Sequence, residues 1–311
     1  MESNNLTSVT EFILLGLSTR PELQMWFFVL FFMIYLMILL GNLLIVLLIV
    51  MNTFLHTPMY FFLSNLSIIE VYYTSCVFPQ MLRHFFVERK SISYSCCVTQ
   101  VYSFQSFGVA ECYILSVMAY DRYVAIRDPL RYTVIMNRAV CVRLVTACWI
   151  GGFLASVVVT VPTFQLSFCR DNVIDHFLCE MPVLFHLSCT DTSQAELVSQ
   201  ILSVFTLLSP VIFITFSYIH IINIVLKIRS AQGRRKAFST CSSHLLVVIP
   251  FFVTVMSHYM RPKSQYSPEK DKIITVFYVA FTPTMNPLIY SLRNKEMKIA
   301  LLKLLGKMRD I

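Results

Sequence analysis

The sequence predicts an all-α membrane protein, a bundle of seven transmembrane helices followed by a short amphipathic helix at the C-terminus. Three observations lead there. Hydrophobic residues make up 57% of the 311-residue chain and charged residues only 14%, well past the apolar share of an average soluble domain. Apolar runs long enough to cross a bilayer recur along the whole chain, which a single soluble core would not require. The basic residues behind the net charge of +8 fall in short segments between those runs. They act as topology signals, and no nucleic-acid motif accompanies them.

Residues 1–22 are mixed and polar, and Asn5-Leu6-Thr7 forms an N-glycosylation acceptor that counts if this end is extracellular. No cleavable signal peptide is apparent. The start lacks a basic region, and the apolar run from Leu23 to Met51 is too long for a signal core, so it is the first span and an uncleaved anchor. Further spans are expected at 57–82, 96–121, 141–165, 195–227, 237–260 and 271–292. Several carry proline (Pro79, Pro162, Pro210, Pro250, Pro283, Pro287), which membrane helices tolerate as kinks. Connections are short except between the fourth and fifth spans, so the chain is one domain over 1–311, with the bundle at 23–292 and a tail at 293–311. No internal repeat is present, which weakens an inverted-repeat transporter. In the tail, Met297, Leu301, Leu304, Leu305 and Met308 share one helical face, with Lys295, Lys298, Lys303 and Lys307 mostly elsewhere. Such a helix lies in the membrane interface; it has no cysteine for palmitoylation.

Orientation follows from the basic residues. An outside N-terminus puts Arg122, Arg127, Arg131, Arg138 and Arg143 in the second inner loop, five more between Lys227 and Lys236 in the third, and six in the tail. That is the larger share of the 25, so the C-terminus is expected inside and the protein is expected to be a multi-pass protein of the plasma membrane. Cysteines agree with this. Cys96 and Cys97 start the third span, and Cys169, Cys179 and Cys189 lie in the long loop, all on the side where disulfides persist. Cys76, Cys112, Cys141, Cys148 and Cys241 suit small packing residues. No Cys/His spacing suits a metal.

Charges inside or bordering the spans carry the functional signal. The run from Val98 ends in Asp121, Arg122 and Tyr123, at a membrane interface because neither charge can stay in hydrocarbon cheaply. Anchoring of the helix end by a snorkelling Arg122 is the plainer alternative. Glu70 in the second span and Glu111 in the third are each protonated, paired, or facing a polar cavity able to hold a cation. A proton or cation relay in a transporter would use the same two residues.

The triplet at 121–123, Asn42, Trp149 and Asn286-Pro287-Leu288-Ile289-Tyr290 together resemble a rhodopsin-like G-protein-coupled receptor. Within that class, LHTPMY at 55–60, MAYDRYVAI at 118–126, KAFSTC at 236–241 followed by His244, and PLIYSLRN at 287–294 are similar to odorant receptors. The resemblance implies that Arg122 is held by neighbours at rest, with Asp121 as its local partner, and meets a G protein when the sixth helix swings out. Tyr218 and Tyr290 match activation tyrosines that would bridge to Arg122 through water. It also implies disulfides Cys97–Cys179 and Cys169–Cys189, leaving Cys96 as the odd thiol and fixing the long loop as a lid. Glu70 stands where the family usually has aspartate, and with Glu111 marks a candidate sodium site. No other cofactor is implied. Arg234-Arg235-Lys236 replaces the acid that completes an inter-helix ionic lock in many relatives, and Arg127 replaces a cysteine.

By the same carry-over, a ligand site lies among Phe104, Gln105, Gly108, Val109 and Cys112 of the third helix, Ser203, Thr206 and Leu207 of the fifth, Phe252, Val255, Met256 and Tyr259 of the sixth, and Val279 of the seventh. The set is mostly apolar with a few hydroxyls and one amide. It suits a small neutral hydrophobic molecule, with Arg261 at the rim. Ordinary helix packing is the competing meaning of such residues. Enzyme motifs such as HExxH and GxSxG are missing, so catalysis is not expected. A retinal receptor would need a lysine in the seventh span, and none occurs between Ile273 and Tyr290. The expected function is an odorant receptor that acts through a stimulatory, olfactory-type G protein to raise cyclic AMP. A non-olfactory receptor and a cation or proton transporter using Glu70 and Glu111 are the alternatives.

Overall fold

A computed structural model of the protein describes residues 9–17, 20–168, 172–260 and 267–306, without the side chains of 236, 240 and 291–293. Strand β1 (Glu11–Leu14) precedes α1 (Pro21–Met51), whose proline at the first turn presets the helical φ. The second span is α2 (Pro58–Ser75) continued by α3 (Phe78–Arg83). The break falls just before Pro79, which has no N–H to continue the ladder. Strand β2 (Ser91–Ser93) leads into α4 (Tyr94–Arg127), capped by the Ser93 hydroxyl, which accepts from the Cys96 N–H at 3.2 Å. After the short α5 (Tyr132–Ile135) comes α6 (Arg138–Phe164), capped by Asn137, and then strand β3 (Val173–Ile174) and α7 (Met181–Leu187) in the long loop. Helices α8 (Ser193–Ser203) and α9 (Ser209–Lys227) form the fifth span, joined by a wide π turn at Val204–Leu208. The sixth is α10 (Ala231–Tyr259). The seventh joins α11 (Pro268–Val276) to α12 (Thr282–Arg293) through a second π turn, Phe277–Phe281. The tail helix α13 (Lys295–Leu304) is capped by the Asn294 side chain.

Six of the spans are long and apolar enough to cross a membrane, at Pro21–Met51, Pro58–Arg83, Arg138–Phe164, Ser193–Lys227, Ala231–Tyr259 and Pro268–Tyr290. Helix α4 is the polar exception. It runs through the middle of the bundle against α2, α6 and α9, so its buried Gln100, Ser106, Glu111, Asp121 and Arg122 face protein rather than lipid. It also runs six residues beyond the expected inner end, stopping only where Asp128 precedes Pro129. The triplet at 121–123 therefore lies inside the helix and not at its mouth. Helix α6 approaches α4 closely at Gly152, where an added Cβ would stand 2.5 Å from the Ser106 carbonyl oxygen.

The molecule is inverted relative to a soluble protein. Trp26, Leu40, Val50, Phe205, Ile212 and Phe216 are exposed on the outer surface, whereas Asn42, Glu70, Glu111 and Asn286 are buried in the bundle. Only lipid makes that distribution favourable. At one end, the chain's start forms a small sheet in the order β2-β1-β3. Strand β1 pairs antiparallel with β2 (Phe12 opposite Ile92) and parallel with β3 (Leu14 opposite Ile174), burying Phe12 and Leu14 completely. The sequence shows residues 1–22 only as a mixed, polar stretch. The strand is only four residues long and its partners lie far along the chain, so no local pattern announces it.

Candidate functional site

Beneath this sheet the helices enclose a cavity. Ten of the expected ligand residues line it: Phe104, Gln105, Gly108, Val109 and Cys112 of α4, Ser203 of α8, Thr206 and Leu207 of the π turn, and Val255 and Tyr259 of α10. Tyr73, Phe251 and Tyr278 complete the wall. Phe252, Met256 and Val279 do not line it; they pack in the surrounding core. Phe251 lines it in place of Phe252 because it lies four residues before Val255 and eight before Tyr259, on the same face of α10. Tyr278 replaces Val279 because the π turn at Phe277–Phe281 widens the helix there and shifts the inward face. The free space is about 30 Å³, enough for a water or two and well short of the roughly 300 Å³ of a typical ligand pocket. A ligand must therefore push side chains apart to enter.

The long loop closes the cavity. Cys97 and Cys179 are joined in a disulfide, and Cys96 is exposed and free. Burial separates these adjacent cysteines, since Cys97 faces the loop and is fully buried. Gln100 fastens the same place: its Nε2 donates to the Cys76 carbonyl and its Oε1 accepts from the Cys179 N–H, both at 2.8 Å. Cys169, Asn5 and Arg261 lie outside the described residues. Glu180 follows Cys179 and is buried, with Oε2 2.9 Å from His258 Nε2 on α10; the Tyr278 hydroxyl donates to its other oxygen. Burial alone would raise this carboxyl, but the neighbouring imidazole and the hydrogen bonds outweigh it and hold Glu180 down to about 2. Lys272 bridges to Asp175 of the loop at 2.6 Å. Sequence reasoning missed Glu180, His258 and Gln100, because nothing local marks them as partners.

Midway through the bundle, Glu70 and Glu111 lie within electrostatic range of each other. The carboxylate oxygens of both, together with Asn42 Oδ1 and Asn286 Oδ1, are buried without a protein hydrogen-bond partner. Asn42 donates to the Pro283 carbonyl at 3.4 Å, tying α1 to α12. A cluster of hard, unpaired oxygens of this kind fits a small cation. Among the described residues, no group of three His, Cys, Asp or Glu side chains is arranged to hold a metal ion.

At the opposite end from the sheet, Asp121 accepts from the Tyr132 hydroxyl of α5 at 2.7 Å. No ion pair joins Asp121 to Arg122 among the described residues, since successive helix positions point about 100° apart. Arg122 is buried, its Nε without a partner, and its charge reaches Tyr218, His244 and Tyr290. Tyr218 and His244 Nδ1 hydrogen-bond at 2.8 Å, which links α9 to α10. Tyr290 OH is buried and has no hydrogen-bond partner. Tyr123 accepts from Arg127 and carries the guanidinium over its ring at 5.5 Å. Pro287 packs within 3.0 Å of where a side chain on Gly41 would begin. The tail helix docks through Tyr60, which donates to Glu296 at 2.7 Å. The inner end therefore has an arginine among hydroxyls and an imidazole, held by contacts that a movement of α10 would rearrange.

Comparison with known proteins places this arrangement. The family profile described as olfactory receptor matches residues 31–308. Olfactory receptor 5AP2 of Mus musculus is 49% identical over 305 residues, 98% of this chain and 96% of that protein. Olfactory receptor 5I1 of Homo sapiens is 50% identical over 306 residues, 98% of each. Olfactory receptor 10R2 of Homo sapiens is 46% identical over 305 residues, 98% of this chain and 91% of that protein.

Proposed function

The chain belongs to the olfactory receptor family, and from that premise we propose that it binds a small volatile odorant in the cavity beneath the loop and activates a stimulatory, olfactory-type G protein, raising cyclic AMP. It is a multi-pass membrane protein and not an enzyme. In this reading the N-terminus is extracellular, Asn5 is glycosylated, and the C-terminus is cytoplasmic in the plasma membrane, with α13 on the inner leaflet. Cys169–Cys189 would be the second strap of the loop. Asn42, Glu70, Glu111 and Asn286 would hold a sodium ion, whose positive charge would offset the two carboxylates.

The observation that carries the ligand reading is the cavity itself: ten residues expected from three separate stretches of sequence surround one space. Its wall is aromatic and aliphatic, with Gln105, Ser203, Thr206 and the tyrosine hydroxyls as polar points. That favours a neutral molecule with one or two hydrogen-bonding groups. Among the described residues no Lys or Arg is in the wall, so carboxylic acids should be poor ligands. Ligand binding would act as a population shift, limited to its differential affinity for the two arrangements, on the order of a few kcal/mol.

The test is cyclic AMP accumulation in cells expressing the chain against a broad panel of volatile compounds, beside Arg122→Ala at matched surface level. A response in the wild type that is lost in the variant supports the reading. A ligand response that persists without Arg122 overturns the coupling mechanism.

A further inference from the structure

The cavity is roofed by a buried ionisable cluster that odorant binding does not call for. The disulfide at Cys179 holds Glu180 against α4, and Glu180 in turn meets His258 of α10 at 2.9 Å, both side chains no more than 2% exposed. The His258 ring packs edge-on against Tyr259 at 4.7 Å and lies 5.6 Å from Tyr278. Both tyrosines line the cavity, and Tyr278 donates to Glu180. One contact therefore connects the loop strapped to α4, the helix whose movement the activation mechanism requires, and the wall a ligand would touch.

We propose that the receptor is proton-responsive: His258 takes up a proton from the outer solution, and the imidazolium clamps α10 to Glu180, so that acid raises the odorant concentration needed for activation. The proton-binding site stands on the geometry alone; its effect on signalling rests on the receptor reading given above. Without the proton, the pair carries one negative charge, and His258 Nε2 and Glu180 Oε2 stand 2.9 Å apart with neither making a hydrogen bond. Uptake forms one N–H bond on the imidazole, brings the pair to neutrality and adds an attraction strengthened by the dry surroundings.

The groups around His258 leave it as the switching member. From the loop, His176 and Glu180 face it, and behind them Asp175 meets Lys272 of α11, which also brings Thr275, with Asp271 buried in the same first turn; Tyr278 comes from the π turn, Tyr73 from α2 and Tyr259 from its own helix. Burial lowers His176 to about 4, and Glu180 is held at about 2. Neither changes charge between pH 6.5 and 8. Asp175 is paired with Lys272, and phenols and ammonium groups titrate well above this range.

The test uses the full-length receptor in phosphatidylcholine nanodiscs. Hydrogen–deuterium exchange of residues 172–188 is compared at pH 6.5 and 8.0 after correction for intrinsic exchange, for the wild type, His258→Gln and His258→Phe. Greater protection of the wild-type loop at pH 6.5, lost in both variants, is the expected result. Equal protection at both values, or a pH effect that survives both substitutions, overturns the proposal. In cells, the half-maximal odorant concentration should rise from pH 8.0 to 6.5 by up to about tenfold per pH unit, the limit for one linked proton, and the His258 variants should be flat. A pH-dependent loop in a receptor silent for cyclic AMP counts against G-protein coupling and leaves the proton site standing.

Discussion

Tyr259 stands where the cavity meets its roof, lining the space while its ring packs against His258. Tyr259→Ala should raise the half-maximal concentration of a cognate odorant roughly tenfold, about 1.4 kcal/mol, at unchanged surface level; an unaltered dose-response curve would remove it from the pocket. Its place was legible from sequence because the KAFSTC motif at 236–241 marks the sixth helix and an unbroken stretch of α10 runs from there to Tyr259. Residues whose roles come from a distant partner were not legible. Glu180 reads as one acid in a loop until His258, 78 positions later, is seen against it. Gln100 reads as an ordinary helical amide until its two ends are seen joining the Cys76 carbonyl to the Cys179 N–H. Asp121 looks like the natural mate of Arg122, yet Tyr132 reaches it from the next segment.

The spans themselves were well marked, because apolar length is a local property and lipid enforces it. Their ends and phases were less so. Helix α4 exceeds its expected end, since packing against α2, α6 and α9 lets it bury Asp121 and Arg122, charges that hydropathy takes for a boundary. The π turn in the seventh span shifts the face it presents, and Tyr278 replaces Val279 in the cavity wall for that reason. No composition rule marks such a turn in a run of apolar residues. Helix contact can be tested directly at Gly152, where an added Cβ would meet the Ser106 carbonyl oxygen and the Ala110 backbone nitrogen at 2.5 and 3.1 Å. Backbone cannot swing aside as a side chain can. Gly152→Val should therefore lower the stability of the purified receptor by about 1–3 kcal/mol, read as a fall in Tm in nanodiscs, and a wild-type Tm would contradict the close α4–α6 approach.

Over the whole molecule, the Cys97–Cys179 bond bridges 82 residues and anchors the loop, the sheet and the Glu180 contact to the bundle. Cys179→Ser should remove about 2–4 kcal/mol of constraint and abolish either surface expression or the odorant response; a wild-type response would show that the loop is held well enough without it. The same region sets a condition on how the protein is made. Strand β1 is translated first but needs β3, some 160 residues downstream, as one of its two partners. At ordinary elongation rates of roughly 5–20 residues per second, that partner is missing for on the order of ten seconds or more. Meanwhile Glu11–Leu14 presents an open apolar edge to whatever lies nearby. Biogenesis thus returns to an earlier-made segment: Glu11–Leu14 is among the last to find its place, and it does so only after the fourth span has been inserted.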